Sequence, residues 1–416
     1  MLTSFAASHS KGKFATDKIF GASGAAVKAC EQYGKDKVVN ATIGAIMDDS
    51  EKLACIPTVE KVLRELPINE LIAYAPISGL PDYLKATINL AFADNKPEAY
   101  FSSVATSGGT GVLHHTIWNY SEIGDTVLTS DWYWGPYNVL CKEALRKLDT
   151  YQLFDEKQNF NIKAFEGKVN EILAKQNSIV IIINTPAHNP TGFSLTDEDW
   201  TKVLDVCKVQ AKKPDKKITV LVDIAYIDYA GEKNESRRFL QQFGNLPENI
   251  LGVLAFSMSK GYTMYGQRTG AMIGMSSSKA IIDEFAAINQ YTSRATWSNI
   301  NRGAMKLLTT IDQDKTLLAQ FESERDVLYK LIRERASIFM EESKSCGLNV
   351  LPYRAGFFIS IPANDPDAVC EKLHDDLIFA VPLKMGVRIA VCAIPSSKVK
   401  GMAEKTLKAM QYIASK

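Results

Sequence analysis

Lys260 lies in the run S-M-S-K-G-Y-T-M-Y-G-Q-R-T-G, residues 257–270. That run follows an apolar stretch, Ile250–Phe256, which reads as a buried parallel strand, and precedes another, Ala271–Met275. An amine just past the carboxyl end of a buried strand stands where open α/β sheets take their ligands. Ser257, Ser259 and Gly261 are small enough to let a ligand near the backbone, and Arg268 adds a second cation at the mouth of the next strand. Two more buried-strand patterns end on polar groups. Ser178–Asn184 leads into T-P-A-H-N-P-T-G, where Asn189 is held between two prolines, and Ile218–Val222 leads into D-I-A-Y, which carries Asp223 and Tyr226. An aspartate in such a place needs a cation or a hydrogen-bond donor. Upstream, S-G-G-T-G at 107–111 opens a helix-like stretch reaching Tyr120. Glycine amides at a helix start can close on an anion, although this spacing is neither a P-loop nor G-x-G-x-x-G.

A ligand with a carbonyl, a pyridine nitrogen, a phenolic oxygen and a phosphate would find a partner for every function. Lys260 can form a Schiff base with the carbonyl. Asp223 can keep the ring nitrogen protonated, so that the ring accepts electrons. Asn189 and Tyr226 can hydrogen-bond the phenolic oxygen, while Arg268, Ser257 and the Gly109 and Thr110 amides hold the phosphate. Trp134, in D-W-Y-W-G-P-Y at the end of the strand Thr126–Ser130, can stack on the ring.

The elements that must position these groups follow from hydrophobic period. Helical patterns run from about Asp17 to Tyr33, Val59 to Leu66, Phe160 to Lys175 and Ala280 to Tyr291, and another opens at Thr196 with the capping-box signature T-D-E-D. Val38–Ile43 reads as a short strand ending at Gly44, and Tyr74 sits in the loop A-Y-A-P-I-S-G-L-P. Arg294 opens a loop, R-A-T-W-S-N. From Asp314 to Ser343 a long amphipathic helix ends at Gly347 and suits a spine between two domains. Strands Phe357–Ile361 and Val387–Cys392 then alternate with helices Ala368–His374 and Lys398–Ser415. The expected architecture is α/β: a large domain, 51–310, with a mostly parallel sheet flanked by helices, and a smaller α+β domain, 311–416. Residues 1–50 supply an amino-terminal arm and part of the smaller domain.

Composition narrows the function. Lys plus Arg (48) nearly equals Asp plus Glu (47), so no overall field draws the chain to nucleic acid or acidic lipid. The seven cysteines include no C-x-x-C and the five histidines no H-E-x-x-H, so no metal site is expected. Free thiols point to a reducing, cytoplasmic compartment. No apolar run approaches the ~20 residues of a membrane span.

The lysine run, A-H-N-P-T-G, D-I-A-Y, the glycine-threonine loop and W-G-P-Y, in that family's order, resemble the class I pyridoxal-phosphate-dependent aminotransferases of the aspartate aminotransferase group. The resemblance covers about Val38 to Ile394. It implies the fold-type I architecture, pyridoxal 5′-phosphate as cofactor, and Lys260 as its attachment point and proton shuttle. It implies a homodimer with shared sites, in which Tyr74 reaches the cofactor phosphate of the neighbouring subunit. Arg388, in G-V-R-I-A-V, matches the arginine that grips the substrate α-carboxylate, and Ile43 with Gly44 match the loop that covers substrate. Arg294 occupies the place of the neighbouring subunit's arginine for the distal carboxylate of aspartate or glutamate; alternatively it forms an intersubunit ion pair. The implied reaction moves an amino group between an acidic amino acid and a 2-oxo acid in two half-reactions. An aromatic-amino-acid aminotransferase and a carbon–sulfur lyase remain open, and a binding protein on the same fold is disfavoured because the resemblance begins near residue 38 and leaves no room for the helix-turn-helix domain that usually marks one. Two positions depart from the family pattern: Gly108 stands where serine is common, and Tyr137 replaces a histidine near the tryptophan.

Overall fold

A computed structural model describes residues 4–13 and 18–416. The first helix is α1, Lys18–Tyr33; Asp17, where it was expected to start, lies outside the described residues. Of the strand expected over Val38–Ile43 only β1, Val39–Asn40, forms. Beyond it the Asn40 side chain accepts from both the amide and the hydroxyl of Thr42, a local bond that turns the backbone out of the ladder. Pro57 opens α2 (Pro57–Glu65), its fixed φ suiting a first helical turn, and α3 (Ile68–Ile72) and α4 (Pro81–Phe92) follow.

The large sheet then builds up in chain order. Its strands are β2 (Tyr100–Ser107), β3 (Thr126–Ser130), β4 (Lys147–Tyr151), β5 (Ser178–Asn184), β6 (Lys217–Asp223), β7 (Ile250–Ser257) and β8 (Thr269–Ser276). Between them come α5 (Gly108–Asn119), α6 (Pro136–Glu143), α7 (Ile162–Leu173), α8 (Asp197–Ala211) and the single turn α9 (Met258–Gly261). The strand order is β2-β8-β7-β6-β5-β3-β4. Thr196 caps α8 through the expected capping box with Asp199. The strand at Ala271–Met275 is not parallel to its neighbours: β8 runs antiparallel to both β7 and β2. Residues 258–268 are too few for the crossover helix that a parallel return demands, so the chain turns straight back.

Both faces of this sheet are covered, which is why β5 reads as an unbroken apolar run. Val180 and Ile182 pack with α5, α6 and α10 (Lys279–Thr296), among Val112, Tyr137 and Phe285. Ile179, Ile181 and Ile183 face the opposite way, into a core with Phe165 of α7 and Trp200 of α8. Because α10 runs to Thr296, Arg294 sits in its last turn and not in a loop.

After α11 (Arg302–Gln313), the spine helix α12 spans Lys315–Cys346, and Gly347 stops it at φ +80°. Beyond it come β9 (Phe358–Pro362), α13 (Pro366–Leu373), β10 (Ile378–Phe379), β11 (Val381–Pro382) and β12 (Gly386–Ala390). The strand expected to reach Cys392 ends at Ala390 in a tight turn. The final helix breaks at Gly401, φ +88°, into α14 (Ser396–Val399) and α15 (Met402–Ala414). Ile359, Val387, Ile389, Phe339 and Met402 form a separate core that also takes in Val39, Ala41 and Ile46 from near the amino terminus.

One buried ionic cluster sits beneath the lysine turn. Asp228 lies 2.7 Å from Arg237 and 3.3 Å from Arg325, and a Cβ on Gly261 would run into its carboxylate. Burial alone would push the Asp228 carboxyl up, but the two guanidiniums outweigh it and hold it below its ordinary value. Its stabilisation is therefore complete above the unfolded carboxylate value of about 4 and is lost as pH falls through the lower folded value. Asp228→Ala strands the buried Arg237 and the largely covered Arg325 and should cost about 3–5 kcal/mol at neutral pH. Denaturant unfolding from pH 7 downwards should show that gap between parent and variant narrowing only below about pH 4.

Candidate active site

The carboxyl ends of β5, β6 and β7 lie side by side, since Asn184 is in register with Asp223 and Asp223 with Ala255. Asn184 orders the first of them. Its side-chain amide donates to the Asp223 backbone carbonyl at 2.8 Å, and its side-chain oxygen accepts the Asn189 N–H at 2.6 Å. Asn189 is thereby placed with its side-chain nitrogen 3.4 Å from the Tyr226 hydroxyl.

Asp223 is buried. The Tyr137 hydroxyl donates to its Oδ2 at 2.7 Å, and the Ala225 amide donates to Oδ1 at 3.2 Å. Burial pushes the Asp223 carboxyl above its ordinary value, opposed by Tyr137, by Ala225 and by the Lys260 ammonium.

Lys260 stands in α9, whose first turn is capped by Ser257 accepting the Ser259 amide at 3.2 Å. The amine donates to the Gly44 carbonyl and lies 4.9 Å from the Tyr265 ring centre. Enclosure lowers the Lys260 amine to about 8, and the Arg388 and Arg268 cations act in the same direction. Gly44 has to be glycine for this approach: a Cβ there would meet the Phe358 ring at 2.7 Å.

Arg388, in the middle of β12 and opposite Ser360 of β9, brings a buried cation from the other core. Its guanidinium donates to the Thr42 carbonyl at 2.7 Å and to the Asn189 side-chain oxygen at 3.4 Å, and it packs over the Phe358 ring at 4.3 Å. The two cations thus clamp the segment 42–44 by alternate carbonyls.

Next to Lys260 an anion cradle is assembled. Gly108 starts α5 at φ +64°, and a Cβ on it would lie 2.7 Å from an Arg268 nitrogen. The Arg268 guanidinium therefore lies against the amino terminus of α5, where Gly109 and Thr110 present their amides and Ser257 lines the other side. Arg268 is steered by bonds to the Ser259 hydroxyl (3.2 Å) and the Tyr265 carbonyl (2.9 Å), and it forms no ion pair with a carboxylate among the described residues. A cation and a positive helix end facing one space suit a doubly charged anion. Trp134 stands edge-on to Tyr137, ring centres 5.6 Å apart.

Tyr74 and Arg294 are not brought into this cluster. Tyr74 is 88% exposed. Arg294 is also exposed, bonded to the Ser298 hydroxyl at 3.2 Å. The two segments adjoin, because the Ala75 amide donates to the Asn299 side chain at 3.4 Å.

Comparison with known proteins identifies the family. Residues 36–405 match the family model "Aminotransferase class I and II". The chain belongs to that family. Among its relatives is the cytoplasmic aspartate aminotransferase of Dictyostelium discoideum, 29% identical over 295 residues; the match spans 69% of this chain and 64% of that protein, just under two thirds of its length. The crystal structure of an aminotransferase from Anaerococcus prevotii superposes with a TM-score of 0.96 at 35% identity, covering 98% of this chain and 99% of that one. An aromatic-amino-acid aminotransferase from Burkholderia pseudomallei, titled as covalently bound to pyridoxal phosphate, has the same fold at a TM-score of 0.79, with 20% identity and coverage of 97% and 100%.

In this member of the family, several participants carried little signal in sequence. Asn184 was legible only as the polar end of β5, and Thr42 acts through a carbonyl that any residue supplies. Cys392, buried with its thiol pushed up to about 12, faces Lys260 without any motif to announce it.

The lowered Lys260 amine can be tested on protein stripped of bound small molecules. Acetylation by acetic anhydride, followed peptide by peptide against pH, should show Lys260 reacting with a midpoint near 8, against about 10.4 for a solvated lysine. A midpoint above 10 would mean that the amine is not enclosed.

Proposed function

We propose that the protein is a pyridoxal-phosphate-dependent aminotransferase that moves an amino group between aspartate or glutamate and a 2-oxo acid in two half-reactions. The observation that carries this reading is the meeting, in a chain of this family, of a lysine amine lowered to about 8 with a buried carboxylate and an anion cradle. The residues fit the cofactor. The space between Arg268 and the start of α5 suits its phosphate, and Asp223 keeps an oxygen held only by the Ala225 amide at 3.2 Å for its ring nitrogen.

When bound, pyridoxal phosphate supplies an aldehyde that condenses with amines and a ring that draws electrons from the α-carbon. This chain's residues do the rest. Lys260 would hold the cofactor covalently, and its free amine would take the proton from the substrate α-carbon and return it. An amine near neutrality at working pH is suited to both parts of that transfer. Asp223 would keep a proton on the ring nitrogen, and Tyr226 and Asn189 would hydrogen-bond the phenolic oxygen. Trp134 would stack on the ring. Arg388 binds the substrate α-carboxylate in a fork, giving up the Thr42 carbonyl, while Ile43 and Gly44 cover the site.

The assembly proposed is a homodimer with shared sites. The exposed Tyr74 and Arg294, on adjoining segments, are then contributions to the partner's site, and the exposed Ile68, Leu71 and Ile72 of α3 supply apolar surface for the contact. Residues 51–310 are proposed as the large domain, with 1–50 and 311–416 as arm and small domain. The seven free thiols favour a cytoplasmic setting. No described helix is long and apolar enough to cross a membrane.

A second reading, transfer from aromatic amino acids, is favoured by one feature: Arg294 is exposed and its Ser298 contact is easily exchanged, so the side chain is free to swing aside for a neutral ring. The test is Arg294→Leu, assayed with aspartate, glutamate, phenylalanine and tyrosine against 2-oxoglutarate and oxaloacetate. Loss of a bidentate Arg–carboxylate contact should lower kcat/KM for the two acidic substrates by about 100-fold or more, and for the aromatic ones by only a few-fold. Equal losses for all four would show that Arg294 does not read the distal group. Given a cysteine S-conjugate, release of a thiol with ammonia and pyruvate and without need of an acceptor would favour a carbon–sulfur lyase instead.

A further inference from the structure

Building on the pyridoxal phosphate reading, we propose that Tyr137 is a positioning residue that acts through Asp223. Its hydroxyl keeps that carboxylate ionised and turned so that one oxygen remains available to the protonated ring nitrogen. Tyr137 is fully buried in the first turn of α6, after Pro136. Its ring is fixed by Trp134 edge-on and by Tyr133 stacked at 6.5 Å, within the core that also holds Val112 and Cys141. The donor cannot swing away from Oδ2 without leaving that packing, whereas Oδ1 has only the Ala225 amide.

A buried hydroxyl needs a partner and finds one in this carboxylate, but packing alone does not call for it, since a phenylalanine would fill the same space without a polar atom to satisfy. What the hydroxyl adds is a strong donor that carries no charge. Burial and the neighbouring carboxylate push the phenol well above its ordinary value, so it stays protonated throughout the working range. A charged donor in its place would neutralise Asp223 and compete with the ring for it.

The other groups facing Asp223 are few. Tyr226 comes from the segment after β6 and Lys260 from α9, while Arg388 and Cys392 face Tyr226 and Lys260 in turn. Tyr137 is foremost among the groups opposing the upward push of burial on the Asp223 carboxyl. Removing its hydroxyl raises that carboxyl further, and the cofactor's hold is then lost at a higher pH on the acid side.

The experiment measures pyridoxal phosphate affinity by equilibrium dialysis and by its absorption band, from pH 4 to 8, together with the melting temperature of the cofactor-free protein. Tyr137→Phe should weaken binding about 10- to 100-fold near neutral pH and move the acid limb of binding upwards. In an Asp223→Asn background the same substitution should change affinity by less than about twofold, because the group through which it acts is gone. Equal losses in both backgrounds would make Tyr137 a merely structural residue, and an unchanged affinity and limb in Tyr137→Phe would equally overturn the proposal. Should Tyr137→Phe fail to fold, replacement by 3,5-difluorotyrosine keeps the shape and strengthens the donor. The acid limb must then move down, and a limb that stays in place overturns the proposal. A parent protein that binds no pyridoxal phosphate at any pH overturns the cofactor reading itself, which is a distinct result.

Discussion

Two ionisable groups held away from water at neighbouring strand ends govern this structure. Asp223 is an acid pushed up by burial, and Lys260 is an amine pushed down by it, so their charged forms become costly together. Neither is neutralised by a direct ion pair with the other. Each is met by neutral dipoles, the Tyr137 hydroxyl on one side and the Gly44 carbonyl on the other. A ligand that brings a cationic nitrogen to the acid and a carbonyl to the amine relieves both at once. The fold supplies what makes this tolerable: a sheet covered on both faces, and beneath the lysine turn an aspartate gripped by two arginines.

The second core joins the first through the clamp on residues 42–44. Thr42 and Gly44 offer alternate carbonyls to Arg388 and Lys260, which are the two cations a substrate carboxylate and a cofactor aldehyde would engage. Behind the clamp, Arg335 of the spine helix is fully buried and donates to the carbonyls of Met47 and Cys392 and to the Asp49 carboxylate. The segment is thus tied at one end to the spine and at the other to Lys260 and Arg388. Ligand binding that frees Thr42 and Gly44 acts on a segment already anchored to the element linking the two cores.

Much of this was legible in the sequence, for definite reasons. β5, β6 and β7 are apolar on both faces and announce themselves, and the polar residue closing each run marks the site edge. The spine helix, the Thr196 cap and the Gly347 stop follow from local chemistry that tertiary contacts do not override. β2 and β4 were missed because Y-F-S-S-V-A-T-S and K-L-D-T-Y mix polar and apolar residues as half-exposed edge strands do. The direction of β8 was misread because an apolar run says nothing about orientation; only the length of its connection does. Val38–Ile43 forms a shorter strand than its apolar pattern predicts because β propensity there loses to the Asn40 side chain. In the site, Tyr137 was visible as a departure from a family pattern, but its bond to Asp223 joins residues far apart in the chain, and no local pattern encodes that distance.

On the proposed reading, the Lys260 amine is the point at which an aldehyde-bearing, ring-nitrogen cofactor is held. Purified protein loaded with pyridoxal phosphate, reduced with borohydride and digested should yield one pyridoxyl group, on the peptide containing Lys260. Protein that stays colourless, or a pyridoxyl group fixed on a different lysine, would contradict it.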